Sequence, residues 1–269
     1  MPARVYQLTG TVIFILASAC ALGDTTTGDI WLQRDGTSIY AGAFFANYDS
    51  KLRKSSDDLL GTRIDLEEDL GMDDDDVILR AAIAARPWPK HRFFFSYMNM
   101  DRTGDKALDS DIAFDGVIFP AGTQVDSKLN LGMYRGGYTW SFLQQQSWEL
   151  GLSVGVYLID LDVRLGSKDF DIRAEDGTTE PFPMVGLSGT WLLGKDWLIR
   201  GGAEAFAIDR GNTDGDFYNV SLSGEYQVTE NLSLGAGYDL VSIDAKDTKN
   251  NDEIDYNYDG AMIYLRWQL

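Results

Sequence analysis

The sequence ends with Gly260-Ala-Met-Ile-Tyr-Leu-Arg-Trp-Gln-Leu269, and this stretch decides the fold. Successive side chains of a β-strand point to opposite faces. One face here is mixed, and the other is the apolar set Ala261, Ile263, Leu265, Trp267 and Leu269. Such a terminal strand is typical of the closing strand of an outer-membrane β-barrel. We therefore expect this apolar face to contact lipid, with Met262, Tyr264 and Arg266 pointing inside.

The composition agrees with a membrane barrel made of strands. The chain has 269 residues, of which 12% are aromatic, with 28 glycines and 6 prolines. Beyond the N-terminus no stretch reaches the roughly 18 consecutive apolar residues of a membrane helix. A lipid-facing strand needs an apolar residue only at every second position. The net charge of −19 disfavours nucleic acid as a partner, because nucleic acid binds basic surfaces.

The N-terminus has the features of a secretory signal. Arg4 precedes the apolar stretch 11–17, and small residues follow at 17–21. We predict a signal peptide at 1–23 and a barrel at 24–269. Cleavage there would remove Cys20, the one cysteine of the chain. The alternative is a lipoprotein anchored at Cys20, but Ala17 stands where a lipobox has a large aliphatic residue.

Alternation along the chain predicts an all-β, antiparallel, up-and-down transmembrane barrel of about ten strands, with eight as the alternative. The segments are 38–53, 77–86, one that starts at His91, 127–142, 148–164, 180–193, 197–209, 217–229, 232–244 and 256–269. Long polar connections alternate with short turns, as in membrane barrels. An even number of strands would put both termini in the periplasm. The signal, the closing strand and the charges on the less apolar face argue against a soluble β-sandwich.

Two of these segments change the parity of their apolar residues midway. In 127–142 the apolar set passes from the odd positions 129–133 to the even positions 138–142. We expect both sets to face outward, with a β-bulge near 133–134 to absorb the change. A similar switch near Ile159 would turn Leu161 and Val163 outward.

The inward parity carries charged side chains on strand after strand. The predicted lumen charges are Arg80, Arg86, Arg92, Arg135, Arg200, Arg266, Glu149, Glu204, Glu225 and Asp239. Unpaired charges are costly inside a narrow barrel, so these groups should pair. Two hypotheses follow: a rigid, salt-bridged interior, or a narrow arginine-lined path that selects small anions.

The long connections are acidic. Segment 54–76 contains ten acidic and two basic residues. Oxygen-rich loops can hold Ca²⁺ or Mg²⁺. The candidate ligands are Asp73, Asp74, Asp75, Asp76, Asp214 and Asp216, although their spacing is not that of an EF-hand. The alternatives are a solvated acidic surface, or divalent ions that bridge the loops to lipopolysaccharide phosphates.

Catalytic groups are scarce. The single histidine, His91, follows the Pro87–Lys90 turn and is expected at the periplasmic rim. Barrel proteases of the omptin type use an Asp/His constellation at the extracellular end, and barrel lipid hydrolases need histidine beside serine. The acidic pair Glu67 and Glu68 could transfer protons, but no pattern positions it. We expect no enzyme activity and no cofactor.

Four motifs carry a resemblance to a known group. They are Gly61-Thr-Arg-Ile-Asp-Leu-Glu-Glu-Asp-Leu-Gly71, Arg86-Pro-Trp-Pro-Lys-His-Arg92, Asp111-Ile-Ala-Phe-Asp115 and Phe119-Pro-Ala-Gly-Thr-Gln-Val-Asp126. In this order, over about 38–269, the chain resembles uncharacterised Gram-negative outer-membrane β-barrel proteins. It is more distantly similar to OmpA-like and OmpW-like small barrels. The resemblance implies fold and location, but no activity or functional residues. The OmpA-like and OmpW-like barrels have eight strands, so their ligand paths are not transferred.

Two functions are consistent with these patterns. The first is a non-enzymatic, monomeric outer-membrane barrel, either structural or a narrow pore for small solutes. The second is a surface protein that binds a partner or ion through the segments 54–76 and 103–126. The expected partners are outer-membrane lipid, lipopolysaccharide and the outer-membrane insertion machinery, which reads a terminal strand of this kind. Divalent cations are further candidates.

Overall fold

The computed structural model describes residues 36–167 and 172–269, and the predicted signal peptide at 1–23 lies outside them. In chain order the strands are β1 (Thr37–Arg53), β2 (Ile64–Asp65), β3 (Asp75–Trp88), β4 (His91–Ala107), β5 (Ile112–Phe114), β6 (Val117–Phe119), β7 (Gln124–Gln144), β8 (Trp148–Ser167), β9 (Ile172–Leu193), β10 (Trp197–Arg210), β11 (Thr213–Gln227), β12 (Leu232–Asp247) and β13 (Asp252–Gln268). No helix in these two ranges is long and apolar enough to span a membrane.

Within the described residues, ten of these strands form one closed antiparallel barrel. Strands β2, β5 and β6 do not belong to the barrel wall. The closing strand β13 pairs with β1, from Ser38 opposite Gln268 to Arg53 opposite Glu253. The predicted fold class and the count of ten strands are therefore confirmed, and the eight-stranded alternative is wrong. A closed sheet leaves no strand edge unpaired.

The two ends of the barrel differ. Both ends of the described chain meet at one end, where Leu269 donates its backbone N–H to the carbonyl of Thr37 at 2.9 Å. This end also has the short turns, such as the two residues between Trp88 and His91. The other end has the two long connections, 54–74 and 108–123. At that same end β10 and β11 are joined by two residues and β12 and β13 by four, because these strands continue into segments that were expected to be loops. The predicted alternation of long connections with short turns is therefore wrong for this half of the chain. The ten barrel strands contain 14 to 22 residues, more than the 9–11 or so that cross a bilayer when tilted. The wall is therefore taller than the membrane.

The wall has two parts that differ in which face is apolar. We call the part from the short turns to the level of Arg135 the lower barrel, and the part from Met133 to the long connections the upper barrel. In the lower barrel the outer face is apolar, as Trp140 shows, while Arg135 and Thr139 point inside. In the upper barrel Lys128 points outside, whereas Leu131 is buried inside.

The expectation that strands β7 and β8 turn their apolar residues outward over their whole length is wrong. The inward residues of the upper barrel include Leu129, Leu131, Met133, Ile159 and Val163, all buried, and Leu161, which packs against them. No bulge occurs at 133–134, because Met133 pairs with Ile159 and Tyr134 with Leu158 in unbroken register. The register of the β7–β8 pair shifts only between Ser141 and Leu143. The apolar residues change parity because the surroundings of the strand differ between the lower and the upper barrel. The pairing of the backbone continues without a bulge at this level.

The upper end of the barrel is filled from within. The hairpin of β5 and β6 turns at Asp115 and Gly116, which have φ values of 47° and 78°. These positive values fit a type I′ turn, for which Asp-Gly is a favoured pair. Its side chains pack with those of the 54–74 connection and with inward strand residues in one buried cluster. We call these non-barrel residues the apolar plug: Ile64, Leu66, Leu70, Met72, Ile112, Phe114 and Phe119.

We predict that Leu131→Ala lowers the free energy of unfolding by about 2–5 kcal/mol, because it leaves a cavity in a packed interior. The neighbouring Asn130→Ala is the control, since Asn130 points outward and should cost less than about 0.5 kcal/mol. Denaturant unfolding in detergent micelles measures both values. Equal effects would show that Leu131 is not in a packed core.

Candidate functional site in the barrel interior

A cavity of about 250 Å³ lies inside the lower barrel. Its wall includes five of the predicted inward arginines, Arg80, Arg86, Arg92, Arg135 and Arg200. All four predicted acidic residues also line it, namely Glu149, Glu204, Glu225 and Asp239. The inward parity of the strands therefore brings nine of the ten predicted charges to one cavity.

Two ion pairs form the ceiling of this cavity, just below the upper barrel. Arg80 pairs with Asp239, and Arg135 pairs with Glu204. The Arg135 guanidinium lies over the Phe94 ring, 4.2 Å from its centroid. The hydroxyl of Tyr157 lies 3.4 Å from Glu204 Oε2. Asp239 and Glu204 are almost completely buried, so each carboxylate needs its guanidinium to offset the cost of losing water.

Two further groups of charges form the floor, near the short turns. Arg86 binds Glu149 through both terminal nitrogens, at 2.9 and 2.5 Å. Glu225 lies between two arginines, 3.2 Å from Arg200 Nε and 2.8 Å from Arg266 Nε. The arginine and glutamate side chains of the Arg86–Glu149 and Arg266–Glu225 pairs are almost completely buried. Among the described residues, these buried and paired side chains form the floor.

Arg92 differs from the other predicted lumen arginines. Its Nη2 donates to the hydroxyl of Tyr40 at 3.1 Å. Within residues 36–167 and 172–269, no carboxylate forms an ion pair with it. The structure thus places nine of the ten predicted charges in ion pairs and Arg92 on a tyrosine.

A buried charged group in the upper barrel was missed from the sequence. Arg102 is 4% exposed and donates to Ser50 Oγ at 2.8 Å and to Glu67 Oε1 at 2.6 Å. It also donates to the Asp73 carbonyl at 2.6 Å and lies 4.2 Å above the Tyr48 ring. This group, which we call the Arg102 anchor, ties the 54–74 connection to the wall.

The alternation of side chains along β4 was sufficient to predict that Arg102 points inward. Phe93, Phe95 and Tyr97 point outward. The even residues of the same strand therefore point inward, and the strand continues as far as Ala107. Extending the alternation from Tyr97 would have placed Arg102 inside. The contact between Arg102 and Glu67 could not be derived from the spacing of the two residues in the sequence. The sequence pointed to Glu67 only as a possible acid–base group.

The predicted metal ligands lie partly in strands, with Asp75 and Asp76 in β3 and Asp214 and Asp216 in β11. Among the described residues, the candidate ligands Asp73, Asp74, Asp75, Asp76, Asp214 and Asp216 do not form a cluster of three carboxylates. Such a cluster is formed instead by Asp49, Asp65 and Glu67. Glu67 is already bound by the Arg102 anchor.

A lysine lies inside this second cluster. Lys51 Nζ is 2.9 Å from Asp49 and 3.2 Å from Asp65. Hydrogen bonds to Asp49 and Asp65 raise the pKa of Lys51 above its ordinary range. Burial acts to raise the pKa of Asp65, but hydrogen bonds from the Glu68 backbone N–H and from Lys51 outweigh it and lower that pKa. Each of the three carboxylates therefore already contacts a cation of the protein, either Lys51 or Arg102.

His91 lies at the short-turn end, as expected. Its Nδ1 is 2.7 Å from the hydroxyl of Tyr138, and the two rings are stacked. The Trp88 ring meets it edge-on. These contacts place the imidazole in an aromatic cluster at the rim, away from the long connections.

We predict that Glu67→Ala exposes the 54–74 connection to proteases and destabilises the protein by about 3–5 kcal/mol, because it leaves a buried guanidinium unpaired. The adjacent Glu68→Ala is the matched control, since the Glu68 side chain is exposed. Limited proteolysis followed by mass spectrometry locates the cleavage sites. Identical cleavage of the two variants would contradict the anchoring role.

We also predict that Lys51→Ala creates a response to calcium that the unaltered protein lacks, because the freed carboxylates suit a hard cation. At a calcium concentration ten times the Kd, binding stabilises the folded state by about 1.4 kcal/mol. Thermal unfolding with and without calcium measures the change, with Lys195→Ala as the control. A calcium response of equal size in all three proteins would refute this account.

The comparisons with known proteins concern the fold. No protein-family profile matches the chain, and no curated protein sequence matches it. The outer-membrane protease OmpT from Escherichia coli shares 12% sequence identity with a TM-score of 0.55, over 88% of this chain and 97% of OmpT. The translocator domain of the autotransporter NalP from Neisseria meningitidis shares 12% identity, with a TM-score of 0.47 over 89% of this chain and 91% of that one. The similarity to OmpT shows that this chain has the fold of an outer-membrane β-barrel.

Proposed function

We propose that the protein is a non-enzymatic, closed structural barrel of the bacterial outer membrane, with both termini in the periplasm. The observation that carries this proposal is the sealed upper interior. Side chains such as Met100, Leu129 and Phe217 are at most 1% exposed inside the wall. The apolar plug packs against them from the long connections. Ions and small solutes cross a barrel through polar, hydrated space, and an apolar constriction excludes water.

The outer face of the lower barrel supports the membrane location. Large apolar side chains are exposed on it, including Leu79 at 81%, Val185 at 62% and Leu222 at 59%. Exposed tryptophans gather toward the short-turn end, as in an aromatic girdle at a membrane interface. These are Trp88, Trp140, Trp191, Trp197 and Trp267. Outer-membrane lipid and lipopolysaccharide are the partners that such a surface would contact.

The closing strand supports the remaining assignments. Ile263, Leu265, Trp267 and Leu269 are all about half exposed or more. An exposed terminal strand of this kind suits recognition by the outer-membrane insertion machinery. Because the sheet is closed on itself, a monomer needs no neighbour to complete its hydrogen bonds. Short turns face the periplasm in bacterial barrels, which favours periplasmic termini.

The arrangement of the interior favours a protein without catalysis. A general acid or base must be free to reach a substrate. The four lower-barrel carboxylates instead bind arginines, and His91 contacts aromatic rings at the rim. Similarity in fold to a protease does not carry a catalytic site to this chain.

A second candidate function is binding at the cell surface. Strands β7 and β9, with 21 and 22 residues, extend the wall well beyond a bilayer. The outer face of this extension is polar, and the 54–76 and 103–126 segments cover its end. Loss of a partner or ion when these segments are shortened, in a barrel that still folds, would support this second function.

We predict that the purified protein produces no current steps in planar lipid bilayers, because the upper interior is packed with apolar side chains. A porin reconstituted in parallel serves as the positive control. A reproducible current that changes with Arg135→Gln would instead support the narrow anion path and overturn the closed barrel.

A further inference from the structure

In the lower-barrel cavity the arginine side chains are more exposed than the carboxylates with which they pair. The side chains of Arg80, Arg135 and Arg200 are 25%, 22% and 15% exposed within the barrel. Their carboxylate partners are 4%, 7% and 1% exposed. The arginine side chains therefore present more of their surface to the cavity than their carboxylate partners do. The cavity surface is more positive than the nearly balanced list of charges suggests.

The ceiling arginines keep hydrogen-bond donors for a ligand. Arg80 contacts Asp239 through Nη1, and Arg135 contacts Glu204 through Nη2. A guanidinium has five N–H donors, so one such contact leaves several unused. Arg92 adds a third cation to the cavity wall, with a tyrosine hydroxyl as its polar partner. An anion in the cavity would offset the mutual repulsion of these groups and accept their charge-assisted hydrogen bonds.

The rest of the wall is rich in hydroxyl and amide groups. They belong to Ser96, Ser188, Thr190, Asn219, Ser221 and Ser223. Such groups both donate and accept hydrogen bonds, as sugar hydroxyls require. A volume of about 250 Å³ is below the usual range of drug-sized pockets and suits a single small molecule.

We propose that this cavity binds a small hydroxylated organic anion of the size of a sugar phosphate. Arg80, Arg92 and Arg135 hold the anionic group, and the serine and threonine hydroxyls hold the polar body. The ligand enters from the short-turn end. At that end the side chains of Arg86, Arg266 and their partners would have to move to admit the ligand, whereas the opposite end is closed by packed chain segments.

The test is isothermal titration of the full barrel in zwitterionic-detergent micelles with glucose 6-phosphate, in phosphate-free buffer of low ionic strength. Arg92→Gln removes a cation without leaving a carboxylate unpaired. The double variant Arg80→Gln/Asp239→Asn removes the guanidinium and its partner charge together, so that no buried carboxylate is stranded. Arg63→Gln is the control, because Arg63 pairs with Glu253 and Asp255 at the long-loop end.

We expect saturable binding at one site. Arg92→Gln and the double variant should each weaken it about tenfold or more, since each removes charge-assisted hydrogen bonds. Arg63→Gln should bind as the unaltered protein does, and glucose should bind at least about tenfold more weakly than glucose 6-phosphate. The proposal fails if a barrel with an intact far-UV spectrum shows no saturable binding. It also fails if both cavity variants bind normally, or if inorganic phosphate binds as tightly as glucose 6-phosphate.

Discussion

The constraint on which this structure depends is that each strand passes through two environments. The lower barrel has lipid outside, so its apolar side chains must point outward and its polar ones inward. The upper barrel has water outside, so the same strand must bury its apolar side chains inside. Strand β8 shows both states, with Val154 exposed outside the lower barrel and Val163 buried inside the upper barrel. The pleat is unchanged between them, and only the chemistry of the two faces is exchanged.

This exchange explains why two kinds of interior lie in one wall. In the lower barrel the inward face receives the polar residues, and because little water reaches them their charges pair across the lumen. In the upper barrel the inward face is apolar, and residues from the connections complete it as they would complete a soluble core. The Arg102 anchor lies in that upper core, where a buried guanidinium binds Ser50, Glu67 and the Asp73 carbonyl together. One ion pair thus holds the covering segment to the wall.

The sequence was sufficient for the wall and insufficient for its contents. Alternation predicted ten strands and the charges that share the inward parity, because the pleat has a period of two. Alternation alone could not distinguish an apolar face that contacts lipid from an apolar face that packs inside the barrel. Leu129, Leu131 and Met133 were therefore assigned to lipid. The error came from assuming one environment along the whole strand. The contact between Arg102 and Glu67 joins a strand to a distant connection, and no local period encodes it.

A polar cavity below an apolar seal has a consequence for what the interior can do. A path through the barrel would have to cross the packed side chains of the upper barrel, such as Met133 and Ile159, as well as the apolar plug. The lower cavity by contrast is bounded at its floor by paired side chains and not by the backbone hydrogen bonds of the wall. A molecule that enters from the short-turn end would therefore leave by the same end. Such a compartment suits binding and release on one side of the membrane, and the arginine side chains that line it determine the charge of what it holds.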